Sequence, residues 1–193
     1  MITLREAASD ELNEAMAIIN AAKRHLKAQG IDQWQTGYPD EACIRRDIAA
    51  QKGFFIVDRG EGSAVAGEEE GAEEGAEEGS EGKGVREEIL GYLCIDFDGE
   101  PAYEGLKGAW HTQGAYVVIH RMAFSELARG RGLSARVFPL VEDMSRRRGV
   151  HACRVDTDAD NGKMLHILQK NGFAHCGTIW FDNSEKVAFD KVF

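Results

Sequence analysis

The amino-acid sequence predicts an α/β (α+β) fold, in which a mixed, mostly antiparallel central sheet of about seven strands is flanked by about four helices. Apolar residues recur with strand or helix spacing in the order β-α-α-β-β-β-α-β-α-β-β. Short turns predict hairpins between several strands, and two strand-helix-strand segments predict crossovers. A hydrophobic content of 43% is enough for one core, so we expect a single domain over residues 1–193.

The N-terminal part combines a short strand with two helices. Residues 2–5 form the first candidate strand, and apolar residues then recur every three or four positions over residues 12–26. Asp40 is expected to cap a second helix that extends over residues 41–51. This helix leads into strand-like residues 54–58.

Residues 60–86 differ in composition from the rest of the chain. Between Glu61 and Glu88 there are 11 glutamates against two basic residues, which accounts for −9 of the net charge of −10. A segment with almost no apolar residues cannot offset the entropy of ordering it, so we predict a disordered acidic insert between two neighbouring strands. A partner-binding acidic tract is the alternative. The remaining chain is nearly neutral, so no nucleic-acid or membrane partner is expected.

Cysteine spacing and hydropathy indicate the cellular compartment of the protein. The four cysteines are far apart, and no His/Cys spacing typical of a zinc site occurs, so we expect free, buried thiols and no metal. We find no leader-like N-terminal segment and no apolar run of 18 residues. These observations predict a cytoplasmic protein.

The C-terminal half alternates strands and helices. Residues 89–97 and 115–124 are strand-like, residues 133–148 have helical spacing, and another strand and helix follow up to residue 170. Residues 173–193 contain a closing pair of strands. Strict alternation in the strand ending at residue 124 predicts that its even positions share one face, namely Tyr116, Val118, His120, Met122 and Phe124.

Residues 129–134, Arg-Gly-Arg-Gly-Leu-Ser, join this strand to the following helix. A tight turn into a helix presents unpaired backbone N–H groups and the positive end of the helix dipole. Glycines allow a phosphate to approach closely, and arginines add charge and donors. The turn lacks the Lys-Ser/Thr of a P-loop and the third glycine of a dinucleotide fingerprint. We therefore expect a different kind of pyrophosphate site.

Three segments resemble the GNAT acetyltransferases. The turn is similar to their R/Q-x-x-G-x-G/A signature, with Arg129, Gly132 and Ser134 in the matching places. Residues 122–124 lie where the family's fourth strand binds the coenzyme, and Asn161 with Leu-Gln-Lys-Asn-Gly-Phe at residues 168–173 resembles the family segment after the fifth strand. The order and spacing of all three matches are more specific than any one alone.

The resemblance implies direct transfer of an acetyl group from acetyl-CoA, as co-substrate, to a primary amine of a small molecule or peptide. It implies no metal and allows a homodimer. The implied coenzyme-binding residues are Met122, Ala123, Phe124, Arg129, Gly130, Arg131, Gly132, Leu133, Ser134 and Asn161.

Further matches resemble bacterial members of the superfamily whose acceptor is unassigned. They comprise Trp34-Gln35-x-Gly37-Tyr38-Pro39, Ile119-His120-Arg121 and Asp156-Thr157. Trp34 and Tyr38 are either core aromatics or a wall of the acceptor pocket. Together with Trp110 and Asp156 they form the predicted acceptor site.

His120 is the first candidate for the catalytic base, because related arylalkylamine acetyltransferases carry a histidine in the matching place. A structural histidine is the alternative, and Glu104, Asp156 and His111 are weaker candidates for the base. A pH inflection near the reference value of about 6.5 is expected for a histidine base. The family's general-acid tyrosine is replaced by Leu168, which cannot donate a proton. An acyl-CoA-binding sensor without turnover is therefore the second hypothesis.

Overall fold

The structure is a computed structural model that describes residues 1–60, 87–128 and 130–193. Within these ranges, eight strands form one sheet in the order β1-β2-β3-β5-β6-β8-β7-β4. The strands are β1 Ile2–Glu6, β2 Gly53–Arg59, β3 Glu87–Asp96, β4 Lys107–Gly108, β5 Val117–Phe124, β6 Ala152–Thr157, β7 Ala174–Phe181 and β8 Ser184–Val192. The α-helices are α1 Leu12–Ala28, α2 Glu41–Ala49, α3 Ser134–Arg147 and α4 Gly162–Lys170.

The mixed, mostly antiparallel sheet and the four α-helices of the described residues confirm the predicted fold class. The additional strand is β4, two residues long, in a segment predicted to be a loop. It pairs with β7 where Gly108 lies opposite Gly177. A Cβ added at Gly108 would lie 2.0 Å from the carbonyl oxygen of Cys176, so only glycine permits this approach.

The helices cover both faces of the sheet. One core cluster lies beneath α1 and α2 and another beneath α3 and α4, and a third, smaller cluster contains Tyr103, Val118 and Ile179. In β2, Phe55 faces the first cluster, whereas Phe54 and Ile56 face the second. Asp40 caps α2 by accepting a hydrogen bond from the backbone N–H of Cys43 at 2.8 Å, as predicted.

The hairpin of β2 and β3 carries the predicted insert. The two strands are antiparallel neighbours, and Arg59 lies opposite Glu87 at the end of the ladder. Apart from Gly60, the insert predicted at residues 60–86 lies outside the described residues.

A bulge in β5 overturns the predicted alternation. Ala123 pairs with Tyr92 and His120 with Cys94, so two β5 residues, Arg121 and Met122, oppose one residue of β3. Arg121 adopts a positive φ of 52°. Because of this extra residue, the side chains of β5 beyond the bulge lie on the opposite face of the sheet from the one that strict alternation predicts.

The residues on either side of the bulge therefore face opposite ways. Val118 packs with Tyr103 and Ile179, whereas Met122 and Phe124 pack against the α3/α4 core. The prediction that His120 shares a face with Met122 and Phe124 is wrong, because it assumed a regular strand.

The cysteines and helices agree with the sequence analysis where the structure describes them. All four cysteines are free and buried. Within the described ranges, no helix is long and apolar enough to cross a membrane.

Candidate active site

A cleft opens where β5 and β6 separate. These parallel neighbours pair only through Val117 and Val118 of β5, although β5 continues to Phe124 and β6 to Thr157. The opening is lined by the diverging strand ends and by α1 and α4. The loop between α1 and α2 and the turn between β7 and β8 complete the lining. The cleft thus lies where secondary-structure elements from most of the chain meet.

β5 presents a free edge to the cleft. Its other edge pairs with β3, and no described strand pairs with β5 on the β6 side beyond Val118. Met122, Ala123 and Phe124 line the cleft along this edge. Backbone N–H and C=O groups at a free strand edge can bind an extended chain that carries amides. This geometry suits the predicted coenzyme-binding residues 122–124.

The predicted phosphate turn has the expected backbone. Gly130 and Gly132 adopt φ values of 75° and 64°, which favour glycine. Leu133 precedes α3, and no side chain caps the helix there. Within the described residues, no acceptor takes the N–H groups of Gly132, Leu133 or Ser134. These groups and the helix dipole suit an anion.

Arg131 of the turn is engaged by two acidic side chains. Arg131 is paired through its guanidinium with Glu88 at 3.1 Å and Asp58 at 3.2 Å. A phosphate would have to compete with these two carboxylates for the Arg131 side chain. Arg129, the first residue of the predicted signature, lies outside the described residues.

Asn161 caps α4 at the edge of the cleft. Its Oδ1 accepts a hydrogen bond from the backbone N–H of Met164 at 3.1 Å. Its Nδ2 donates to Oε1 of Gln33 at 2.7 Å, and the Thr157 hydroxyl donates to the same oxygen at 3.3 Å. The Asn161 side chain therefore holds the loop after α1 against β6 and α4, a role that sequence analysis did not foresee.

Arg121 organises one wall of the cleft. Its guanidinium donates to both carboxylate oxygens of Asp47 at 2.7 and 2.8 Å, and Tyr92 donates to the same carboxylate at 3.2 Å. Its third nitrogen donates to the Tyr38 hydroxyl at 2.6 Å. The two-pronged ion pair holds Arg121 in its strained backbone conformation and fixes Tyr38 at the cleft.

His120 lies deep in the cleft wall, with an exposed fraction of 7%. Its ring stacks on Phe181 with centroids 6.2 Å apart, and its Nε2 lies 3.6 Å from a carboxylate oxygen of Glu100. Burial, assisted by the cations Arg121 and Lys52, lowers the pKa of His120 to about 3. The pH inflection expected near 6.5 is therefore not a property of this histidine in the free protein.

Asp156 lies in the same cleft, but its pKa is raised whereas that of His120 is lowered. Its Oδ1 accepts a hydrogen bond from the Tyr103 hydroxyl at 2.8 Å. Burial raises the pKa of Asp156 to about 6, with Glu100 and Asp158 adding to the rise, while Tyr103 and Lys186 oppose it. Among the described residues, no hydrogen bond uses its second carboxylate oxygen. That oxygen is available to a ligand.

The structure separates the predicted acceptor residues into two places. Trp34, Tyr38 and Asp156 line the cleft, and Trp34 also packs against the α1/α2 core. Trp110 lies in a second cavity instead, where its Nε1 donates to the Tyr103 carbonyl and its ring covers the Arg154 guanidinium at 4.2 Å. Trp110 thus lies apart from the cleft that Trp34, Tyr38 and Asp156 line, and its role in acceptor binding stays a prediction.

Leu168 is completely buried in the α3/α4 core. The position that carries the general-acid tyrosine in the resembling family is thus occupied by a core side chain. Glu104, a weaker candidate for the base, is exposed and lines the second cavity rather than the cleft. Of the four candidate bases, His120 and Asp156 line the cleft.

Sequence reasoning missed many residues of the cleft as site residues, among them Gln33, Arg121, Phe181 and Lys186. Arg121 was part of a matched tripeptide, and that match was its only signal. Phe181 and Lys186 follow the last predicted helix and come to the cleft only through the closing hairpin.

Comparison with known proteins identifies the family. The model described as "Acetyltransferase (GNAT) family" matches residues 19–173. This chain therefore belongs to the GNAT acetyltransferase family. No curated protein matches the chain.

Solved structures share the fold over the whole chain. A GNAT-family acetyltransferase from Streptococcus agalactiae is 25% identical with a TM-score of 0.77, covering 100% of this chain and 95% of that one. One from Listeria monocytogenes is 18% identical with a TM-score of 0.67 and the same coverage. The aminoglycoside acetyltransferase AAC(6')-Ib, solved in complex with coenzyme A, is 15% identical with a TM-score of 0.61, again with 100% and 95% coverage.

Proposed function

We propose that this protein transfers an acetyl group from acetyl-CoA directly to a primary amine of a small molecule or peptide. The observation that carries the proposal is the cleft between β5 and β6. One side of the cleft offers free backbone groups for a coenzyme, and the other offers a carboxylate for an amine. AAC(6')-Ib has also been solved with coenzyme A and kanamycin, an acceptor that carries amines, which supports this class of acceptor.

The coenzyme is proposed to follow the backbone of one half of the cleft. Its pantetheine arm would bond the free edge of β5 at residues 122–124, and its pyrophosphate would meet the N–H groups at the start of α3. Both contacts use main-chain groups, and the thioester would then point towards the diverging ends of β5 and β6. Correct positioning of the two reactants supplies much of the rate acceleration in such a reaction.

Asp156 is the group we propose to accept the proton of the amine. An α-amine has a reference pKa of about 8 and a lysine amine of about 10.4, so the proton must be removed before or during attack. The pKa of Asp156 is about 6 and that of His120 about 3. Asp156 is therefore the stronger base of the two. His120 then serves as a neutral wall of the site.

The reaction forms an amide bond and breaks the thioester. The neutral amine attacks the thioester carbonyl, its proton passes to Asp156, and the coenzyme leaves as a thiolate that needs a proton. The Tyr38 hydroxyl accepts a hydrogen bond from Arg121. Among the described residues, no group accepts a hydrogen bond from this hydroxyl. We propose that Tyr38 donates a proton to the thiolate in place of the tyrosine that Leu168 replaces.

A sensor that binds acyl-CoA without turnover is the second candidate. The burial of Leu168 favours it, because this position can contribute no proton. Such a protein would keep the free edge of β5 and the anion site at α3, and would have no requirement for an ionisable Asp156.

The two functions are distinguished by combining binding with turnover. Calorimetric titration with coenzyme A measures binding, and release of free thiol from acetyl-CoA is followed with a panel of primary amines. Binding together with amine-dependent thiol release supports the enzyme. Binding without release over a broad panel supports the sensor, and the absence of both would contradict the two proposals together.

A further inference from the structure

Three potential metal ligands that are distant in the sequence meet beside the second cavity. His111 belongs to the loop after β4, Cys176 to β7 and Asp190 to β8. The His111 Nδ1 lies 2.9 Å from Asp190 Oδ1 and 3.4 Å from Cys176 Sγ. All three donor atoms lie within 4.8 Å of one another.

The geometry differs from that of a Cys-His-Asp relay. In a relay the thiol and the carboxylate use different nitrogens of the imidazole, so that a proton can pass through the ring. Here both the sulfur and the carboxylate oxygen approach the same nitrogen, Nδ1 of His111. Convergence of N, S and O atoms on one point is the arrangement of ligands around a metal ion.

The distances between donors suit a tetrahedral ion. With Zn–S of about 2.3 Å and Zn–N or Zn–O of about 2.0 Å, tetrahedral angles place N and S about 3.5 Å apart and N and O about 3.3 Å apart. The observed 3.4 Å between His111 and Cys176 agrees with this value. The distance of 2.9 Å between His111 Nδ1 and Asp190 Oδ1 would increase by a few tenths of an ångström when an ion binds.

The backbone builds this cluster before any ion arrives. The close approach of Gly108 and Gly177 fixes β4 against β7, and the backbone N–H of Ala109 donates to the Cys176 carbonyl at 3.0 Å. Asp190 Oδ2 accepts the backbone N–H groups of His111 at 2.7 Å and Thr112 at 3.0 Å. These bonds orient the carboxylate, as outer contacts do in metal sites, and direct Oδ1 to the other two donors.

Access and burial also suit a bound ion. Cys176 and Asp190 are 6% and 1% exposed, whereas the His111 side chain is about half exposed at 54%. An ion and a water molecule as fourth ligand can therefore enter from the histidine side. A thiol and an imidazole together with one carboxylate favour zinc among the common divalent ions.

We propose that His111, Cys176 and Asp190 form a binding site for a divalent transition-metal ion, with zinc the best fit. On binding, the Cys176 thiol releases its proton to solvent and coordinates as thiolate, and His111 coordinates through Nδ1. The ion ties the loop containing residues 101–114 to β7 and β8. The same loop carries Tyr103, which holds Asp156 in the cleft, so the ion stabilises the acceptor side.

Cobalt and zinc titrations of the chelator-treated full chain test this site. One equivalent of Co²⁺ should give a thiolate-to-cobalt absorption band in the near ultraviolet and the visible bands of tetrahedral cobalt. Zn²⁺ should abolish both. Because binding to the folded state alone stabilises it, zinc at about 100 times its Kd should raise the Tm by several degrees.

Variants assign the signal to the cluster. Cys176→Ser should remove the near-ultraviolet band and His111→Asn should weaken binding at least tenfold. The matched controls are Cys43→Ser, a cysteine that is also 6% exposed, and His151→Asn, an exposed histidine; both should behave as wild type. A wild-type chain without a thiolate band, or one whose band survives Cys176→Ser, would overturn the proposal. Neither result depends on acetyl transfer.

Discussion

The coenzyme end and the acceptor end of the cleft are built from different parts of the polypeptide. At the proposed coenzyme end, the predicted contacts are backbone groups of one continuous segment, from the free edge of β5 to the start of α3. At the acceptor end, the side chains of Tyr38, Arg121, Asp156 and Phe181 arrive from separate elements. The proposed coenzyme contacts therefore depend on main-chain geometry, whereas the proposed acceptor contacts depend on the side chains that separate elements supply.

This difference also explains what the sequence could predict. The turn at residues 129–134 and the start of α3 depend on local glycine and helix signals, and the structure has Gly130 and Gly132 in a left-handed conformation. The number and order of the main strands and helices follow from periodicity, which is also local. The two-residue strand β4 was missed because its pairing depends on Gly177 rather than on any pattern of its own.

The acceptor end was predictable only in part. The bulge at Arg121 changes which face each β5 residue occupies, and strict alternation gave no sign of it. Trp110 is a predicted acceptor residue, and its packing on Arg154, which puts it in the second cavity, has no local signal in the sequence. His120 and Asp156 were recognised as candidates, but their pKa values depend on burial that no local pattern reveals.

The largest expected effect concerns Asp156→Asn. The amide keeps an oxygen that can accept the Tyr103 hydrogen bond but cannot take a proton, so kcat/KM should fall by about 10²–10⁴. In the wild type, kcat/KM should rise with pH through about 6, as Asp156 loses its proton, and this rise should disappear in the variant. Steady-state rates from pH 5 to 8 with one amine measure both the fall in kcat/KM and the loss of its rise with pH.

His120→Gln is the control for this result. A neutral histidine with a pKa of about 3 does not titrate between pH 5 and 8, so the glutamine variant should keep the wild-type pH profile. Loss of the inflection in His120→Gln, with its retention in Asp156→Asn, would return the role of base to the histidine.

Tyr38→Phe tests the proposed proton donor and should have a smaller effect. Water can replace a donor that protonates a leaving thiolate, so we expect kcat to fall by about 10- to 100-fold, less than for the base. Coenzyme affinity should remain within about threefold, because the coenzyme end uses main-chain groups. An unchanged kcat would show that the thiolate leaves with solvent alone.

Gly132→Val should weaken coenzyme binding with little loss of fold. A Cβ at Gly132 meets no atom of the described residues within 4 Å, but a β-branched residue disfavours its φ of 64° and would distort the turn. We expect about a tenfold rise in the Kd for coenzyme A, measured by calorimetry. Gly149→Val is the matched control, with a φ of 71° and equally open surroundings at the end of α3. Equal affinities in both variants would contradict the anion site.

The smallest expected effect comes from shortening the acidic insert, whose ends meet the coenzyme side of the molecule. Arg59 and Glu87 are paired at the end of the β2–β3 ladder, so a four-residue turn in place of residues 60–84 can close the hairpin. Closing a shorter loop costs less entropy, by about 1 kcal/mol for this change in length. We therefore expect the Tm to rise by about 2–4 °C, with kcat unchanged.

The described residues that flank the insert carry charge close to the predicted phosphate turn. Asp58 and Glu88, next to the two ends of the insert, pair with Arg131 of that turn. Removing the glutamates of the insert should leave coenzyme affinity unchanged at high salt. At low salt it should strengthen coenzyme affinity at most a few-fold. A variant of full length with glutamine in place of the insert glutamates separates charge from length. A fall in Tm of several degrees, or weaker coenzyme binding, would show that the segment packs on the domain and is more than a connection between β2 and β3.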